Sequence, residues 1–111
     1  MKQNLSVKTL VQDMTSAFLG EVKEGVPAAK KHVQIELQKI ASCIANIEAL
    51  AAKGKITKQQ AKLDLQIAED AAQSTLIAAT GISEITVAKG LKAAMGVVTG
   101  LVNTALGWRL I

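Results

Sequence analysis

The residues that could carry chemistry in this sequence are few, because its 111 residues include one histidine and one cysteine. His32 and Cys43 lie on one predicted helix, about 16 Å apart along its axis at roughly 1.5 Å per residue. They cannot form a nucleophile–base pair within one chain, and a serine triad would also depend on His32. No strand pattern precedes a glycine-rich phosphate loop. We therefore expect a protein that is not an enzyme and that has no catalytic residue and no cofactor.

A partial metal site is the nearest alternative to this expectation. His32 and Glu36 are four residues apart, so they share a helix face and could supply half of a site that symmetry-related copies complete. The chain lacks the further ligands such a site needs, so a solvent-exposed pair is the simpler interpretation. Cys43 fits a small buried apolar residue better than a reactive thiol. We predict no metal site.

The acidic residues of the third predicted helix do not form a catalytic pair. Glu69 and Asp70 are adjacent in sequence, so they point in different directions on a helix. Asp64 falls within a wide apolar face. Either it pairs with a lysine of a neighbouring helix, which is the interpretation we favour, or it sets the specificity of an oligomer contact.

A strip of small residues in the last predicted helix needs a separate explanation. Gly96, Gly100, Asn103 and Gly107 follow steps of four, three and four, roughly opposite the apolar seam. Glycine costs about 1 kcal/mol relative to alanine inside a helix, so packing or function must offset the strip. Three explanations stay open: a close helix crossing inside the bundle or between subunits, a lipid-facing contact with Trp108 and Arg109 at the membrane interface, and a docked partner helix.

The helices that must position these residues are marked most clearly around residue 54. Gly54 suits the left-handed position after a helix end, and Thr57 with Gln60 forms a capping box that starts the next helix. A connection this short makes the flanking helices antiparallel neighbours. Gly81 and Ser83 provide a second stop and start.

Apolar residues recur in steps of three and four along four segments, at about 5–23, 27–53, 58–80 and 84–109. The second and fourth segments carry seams of the coiled-coil type. The predicted seams are Val33, Leu37, Ile40, Ile44, Ile47 and Ala51, then Ala88, Leu91, Met95, Val98, Val102 and Ala105. In the third segment a stripe of Ala61, Leu65, Ala68, Ala72, Leu76 and Ala79 is widened by Leu63, Ile67, Ala71 and Ala78. The prediction is an all-α fold, an antiparallel helical hairpin within a four-helix, bundle-like domain that spans residues 1–111.

Charge and cysteine content restrict the partners and the compartment. The formal charge of +4 is spread along the chain, and the single arginine and absence of a basic cluster argue against nucleic acid as a partner. One cysteine allows no intramolecular disulfide, which favours the cytoplasm. No secretory signal is apparent, and no run reaches the 18 apolar residues of a spanning helix.

These observations together predict a non-catalytic helical interaction or structural protein in the cytoplasm. Slender alanine-rich helices bury little area each, so their spare apolar faces are most easily covered between chains of a homo-oligomer. Another helical protein is a second candidate partner. The residues expected in self-association are Gly96, Gly100, Asn103, Gly107, Ala72, Ala79 and Asp64. The alternative is a membrane-associating or pore-forming, holin-like protein whose helix 84–109 enters lipid.

Overall fold

Four α-helices run side by side in the computed structural model, which describes residues 6–22 and 27–111. They are α1 (Val7–Glu21), α2 (Pro27–Ala52), α3 (Lys58–Thr80) and α4 (Glu84–Leu106). The molecule measures 41 × 23 × 18 Å, and its long dimension is close to the roughly 39 Å length of a helix as long as α2. The predicted all-α, four-helix architecture is confirmed. The predicted outer ends of the first helix, residues 5 and 23, lie outside the described residues.

The turn between α2 and α3 has the predicted form. Gly54 adopts a left-handed φ of 66°, and the Lys55 N–H donates to the Leu50 carbonyl at 2.9 Å. The Gln60 N–H donates to the Thr57 Oγ1 at 3.1 Å, and the Thr57 N–H donates to the Gln60 Oε1 at 3.2 Å. This reciprocal capping box stops one helix and starts the next within a few residues, so α2 and α3 form an antiparallel hairpin.

The second connection also follows its sequence signals, whereas the end of α4 does not. Gly81 has a φ of 71°, and the Ser83 side chain caps α4 by accepting from the Thr86 N–H. The predicted end of α4 at residue 109 is wrong, because Gly107 adopts a φ of 79° and donates its N–H to the Asn103 carbonyl. This left-handed cap ends the helix at Leu106.

The core lies where α1 packs against both α4 and α2, and α2 packs against α3. The first helix therefore folds onto its own chain. The predicted α2 seam is buried from Val33 to Ile47, and only Ala51 at its end is half-buried. The predicted α4 seam is partly wrong. Its buried face is rotated toward α1: Val87, Leu91, Met95, Val98 and Val102 are buried together with Gly90 and Ala94, whereas Ala88 is exposed.

Gly90 lies directly under the only phenylalanine of the chain. A Cβ built on Gly90 would stand 2.7 Å from two atoms of the Phe18 ring and 2.9 Å from a third. The ring is fully buried. The missing side chain thus leaves the space in which α1 rests on α4, and this is why a helix-disfavouring residue occupies a core position.

A buried hydroxyl in α1 gives the first testable expectation. Thr15 is 5% exposed, and its Oγ1 finds no hydrogen-bond partner within residues 6–22 and 27–111. Burying an unpaired hydroxyl costs about 1–3 kcal/mol, and valine has nearly the same shape and helix propensity. We expect Thr15→Val to raise the free energy of unfolding by about 1 kcal/mol in urea denaturation.

The matched control is Thr80→Val. The Thr80 Oγ1 donates to the Leu76 carbonyl at 2.6 Å and accepts from the Ile82 N–H at 3.2 Å. Removing this hydroxyl is expected to lower stability by about 1 kcal/mol. A loss of stability in both variants would contradict the cost assigned to the Thr15 hydroxyl.

Candidate interaction surface

An open groove separates α3 from α4 along one side of the bundle. The two helices pack less extensively with each other than α3 does with α2 or α4 does with α1. About 390 Å³ of space remains between them, and Leu91 and Met95 contribute apolar surface to its lining. Ile111 lies at the groove as well. No described segment of the chain covers this opening.

The two edges of the groove carry opposite charges. On α3, the charged residues that line the groove are Glu69 and Asp70, both acidic. On α4, the charged residue that lines it is Lys92, which is exposed. Burial raises the pKa of the half-buried Glu69 carboxyl, and the neighbouring Asp70 raises it further. The groove is therefore acidic along one edge and basic along the other.

Two large apolar side chains project from α3 into solvent. Leu63 is 60% exposed and Ile67 is 58% exposed, and the small residues Ala71, Ser74 and Ala78 continue their stripe along the helix. The sequence pattern predicts one wide apolar stripe that includes Leu63, Ile67, Ala71 and Ala78. Within one chain the two halves of this stripe have different environments, because the core uses only the opposite face, which holds Ala61, Leu65, Ala72 and Leu76.

Gly96 and Gly100 are exposed on the outer face of α4. A Cβ built on either residue meets no atom of the described helices within 4 Å, so the close helix crossing inside the bundle does not occur among them at these positions. Gly96 also lines the groove. We call the groove together with Leu63, Ile67, Gly96 and Gly100 the α3–α4 surface.

The other two residues of the predicted strip, Asn103 and Gly107, hold the end of the chain against α4. The Asn103 Oδ1 accepts from the Leu110 N–H at 2.9 Å and from the Ile111 N–H at 3.1 Å. Its Nδ2 donates to the Ile111 carbonyl at 3.3 Å. Gly107 makes the turn that brings this segment back onto α4. Asn103 and Gly107 thus form an internal latch.

Trp108 lies at the end of the bundle beside the α2–α3 turn. The Lys58 Nζ is 5.7 Å from the centroid of the indole ring, a cation–π distance. A small crevice next to the ring is lined by Glu48, Ala51, Ala52, Ala105 and Leu106. Trp108 therefore packs against its own chain, and it is not carried on α4 as the membrane interpretation assumed.

The remaining predicted site residues fall in different places. Ala72 is buried in the core, whereas Ala79 and Asp64 are exposed. The prediction that Asp64 lies within a buried apolar face is wrong, because this face of α3 points to solvent. Cys43 is half-buried; burial raises the pKa of its thiol, with smaller contributions from Asp64 and Glu69.

The expected solvent-exposed pair of His32 and Glu36 is only half correct. His32 is exposed, but the Glu36 side chain is 7% exposed and pairs with Lys39 at 3.1 Å. The described part of the chain contains no group of three His, Cys, Asp or Glu side chains placed to hold a metal ion.

Several features of the structure had no counterpart among the sequence predictions. They are the Gly90 space under Phe18, the unpaired Thr15 hydroxyl, the buried Glu36 and the solvent-facing pair on α3. The spacing of Leu63 and Ile67 was visible in the sequence, but spacing alone does not say which apolar stripe faces the core.

Comparison with known proteins finds no match: no protein-family model, no curated protein and no solved structure is similar to this chain.

Proposed function

We propose that this chain is a non-catalytic helical interaction protein that associates with itself through the α3–α4 surface. The observation that carries the proposal is the exposure of Leu63 and Ile67 on one stripe of α3, next to an open groove. We place this function in the cytoplasm, which the single cysteine favours.

The energetic argument rests on how these side chains are grouped. Single exposed apolar residues are common on soluble proteins and need no explanation. Leu63 and Ile67, in contrast, are neighbours one turn apart, and they lie beside a groove whose lining includes the nearly buried Leu91 and Met95. Burying each of the two side chains would contribute roughly 1–2 kcal/mol, since full burial of an exposed leucine or isoleucine contributes about 1.5–3 kcal/mol. Grouped apolar surface of this kind is typical of a contact between proteins.

The test is sedimentation equilibrium of purified protein at micromolar concentration. We expect the unaltered chain to be a dimer or a larger assembly, and the variant Leu63→Lys with Ile67→Lys to be a monomer. Both side chains are exposed, so the substitutions leave the core intact. Retention of the helical circular dichroism signal would verify this.

A matched control is Ile35→Lys on α2. Ile35 is 44% exposed, but it is not part of the α3–α4 surface. This variant is expected to associate like the unaltered chain. An unaltered chain that sediments as a monomer would refute the proposal.

The second candidate function is association with a membrane through α4. Of the described helices, α4 is the one that is long and apolar enough to cross a bilayer, and 39% of its most apolar window is buried in the fold. Ile85, Val97 and Leu101 are exposed on it. Flotation with anionic vesicles separates the two candidates: a self-associating protein stays in the dense fraction, and a membrane-associating one rises with the lipid.

A further inference from the structure

We infer that the α3–α4 surface pairs with the same surface of a second copy about a two-fold axis parallel to the two helices. This inference rests on the proposed function and specifies its partner and geometry. In such a contact α3 of one copy covers α4 of the other, and residues keep their level along the axis.

The heights of the exposed residues along the helix axes fit this arrangement. Because α3 and α4 are antiparallel and share one connection, residues at equal separation from Ile82 lie at about the same height. Ile67 is fifteen residues before Ile82, and Gly96 is fourteen residues after it. Leu63 is nineteen residues before, and Gly100 is eighteen after. The two projecting side chains of one copy thus meet the two positions of its partner that have no side chain.

Room for these side chains exists at both glycines, since a Cβ there would meet nothing within 4 Å. Each glycine costs about 1 kcal/mol relative to alanine in a helix interior. Among residues 6–22 and 27–111, no neighbouring atom requires the space, so the described part of the monomer does not offset this cost. A leucine or isoleucine from a second copy would use it.

The charged residues of the surface also favour a two-fold axis parallel to the helices. Asp70 is twelve residues before Ile82 and Lys92 is ten residues after it, so the axis brings Asp70 of one copy within reach of the partner's Lys92. A two-fold axis perpendicular to the helices would instead place α3 on α3 and bring the acidic edges together. Like charges in contact oppose that alternative, whereas the parallel axis pairs opposite charges twice.

The available area is adequate for a dimer of ordinary strength. Two helices of this length, packed side by side, present a face of roughly 700 Å². Stable interfaces bury about 800 Å² on each partner. The α3–α4 surface is therefore close to a complete interface without help from the rest of the molecule.

The first experiment fills the positions that should receive the partner. Gly96→Gln with Gly100→Gln places larger, helix-favouring side chains where the monomer has open space. We expect the dimer dissociation constant to rise at least about 50-fold, because overpacking acts at two symmetric places. The fold should be as stable as before or more so. Gly20→Gln, at an equally open glycine of α1, is the control and should leave association unchanged.

The second experiment exchanges the charges in separate chains. Asp70→Lys alone and Lys92→Asp alone should each weaken the homodimer about 5- to 20-fold, because each creates two like-charge contacts. Mixing the two variants should restore binding, because every contact in the mixed dimer again joins opposite charges. Native mass spectrometry should show more than the statistical share of heterodimer. If association were weakened instead by repulsion across the groove within a single chain, mixing the two variants would not restore it.

The outcomes separate this geometry from the proposed function. A dimer that tolerates both glutamines, or variants that mix only statistically, would overturn the two-fold arrangement and leave self-association standing. A monomeric unaltered chain would overturn both. A chain that stays monomeric and floats with anionic vesicles would assign the surface to lipid.

Discussion

Substitution of alanine for Gly90 is expected to lower the free energy of unfolding by about 1–2 kcal/mol, although alanine favours helix. The added methyl group would lie 2.7 Å from the Phe18 ring, well inside contact distance. Phe18 is fully buried, so its ring cannot move aside without disturbing the packing of α1. Overpacking of this kind costs about 1–3 kcal/mol, and the gain in helix propensity offsets up to about 1 kcal/mol of it. Thermal and urea unfolding measure the difference, which corresponds to a fall in Tm of roughly 4–8 °C.

The control for Gly90→Ala is Gly20→Ala, at an exposed helical glycine where an added Cβ meets no atom of the described residues within 4 Å. This change should be neutral or stabilising by up to about 1 kcal/mol. A double-mutant cycle with Phe18→Leu adds a sharper test, because the smaller side chain makes room for the methyl group. We expect the two changes together to cost less than their sum by about 1 kcal/mol. Additive costs would show that the ring and the glycine are not coupled.

Replacing Asn103 with leucine is expected to cost about 2–3 kcal/mol and to release residues 107–111 from α4. The amide side chain makes three hydrogen bonds to the backbone of Leu110 and Ile111, each worth about 0.5–1.5 kcal/mol. Leucine can make none of them. Leu110 is buried, so its release also exposes apolar surface to water. Urea unfolding measures the loss of stability.

Trp108 reports the release directly, because it is the single tryptophan of the chain. Its half-buried ring beside Lys58 should become more exposed, and its fluorescence maximum should shift to longer wavelength. Asn103→Asp is the matched control. It keeps the oxygen that accepts from both N–H groups but replaces the donor with a charged oxygen facing the Ile111 carbonyl, so the shift should be intermediate between those of the unaltered chain and the leucine variant. An unchanged emission spectrum in the leucine variant would contradict the latch.

The turns were predictable from sequence because their causes are local. Gly54 and the Thr57–Gln60 pair act within a few residues of each other, and the structure places each in the expected role. The same signal is present at Gly107, but the spacing places this residue in a small-residue strip because an apolar, uncharged sequence continues through Trp108. In the structure, the end of the chain folds back onto Asn103. That contact shows that Gly107 forms a helix cap and is not part of a packing surface.

The orientation of the helices was not predictable to the same degree. The predicted seam of α4 included Ala88 and omitted Gly90, since a glycine does not count as an apolar residue in a periodic pattern. What buries Gly90 is the ring of Phe18, which belongs to a different helix. Two apolar stripes run along α3, and nothing in the sequence pattern indicates which of them faces the core. The one that packs on α2 includes Ala61, Ala68 and Ala72, small residues that permit a close approach between helices.

The candidate surface was therefore predicted in part. Gly96 and Gly100, which the sequence predicts in self-association, are exposed on it, but Asn103, Gly107 and Ala72 are used inside the chain. The sequence pattern includes Leu63 and Ile67 only as the widening of the apolar stripe of α3. A surface of this kind becomes recognisable after the core has been assigned, because it consists of apolar residues that the core does not use.

The pairing of Phe18 with Gly90 also bears on how the chain is synthesised. The two residues are seventy-two positions apart, so a ribosome adding roughly 5–20 residues per second completes the second about 4–14 s after the first. The α2–α3 hairpin closes over a short loop and has all its residues earlier. During that interval α1 lacks α4, its main packing partner, and the Phe18 ring is not yet buried in the core. A nascent chain arrested before α4 should therefore be the form most attractive to chaperones that bind exposed apolar segments.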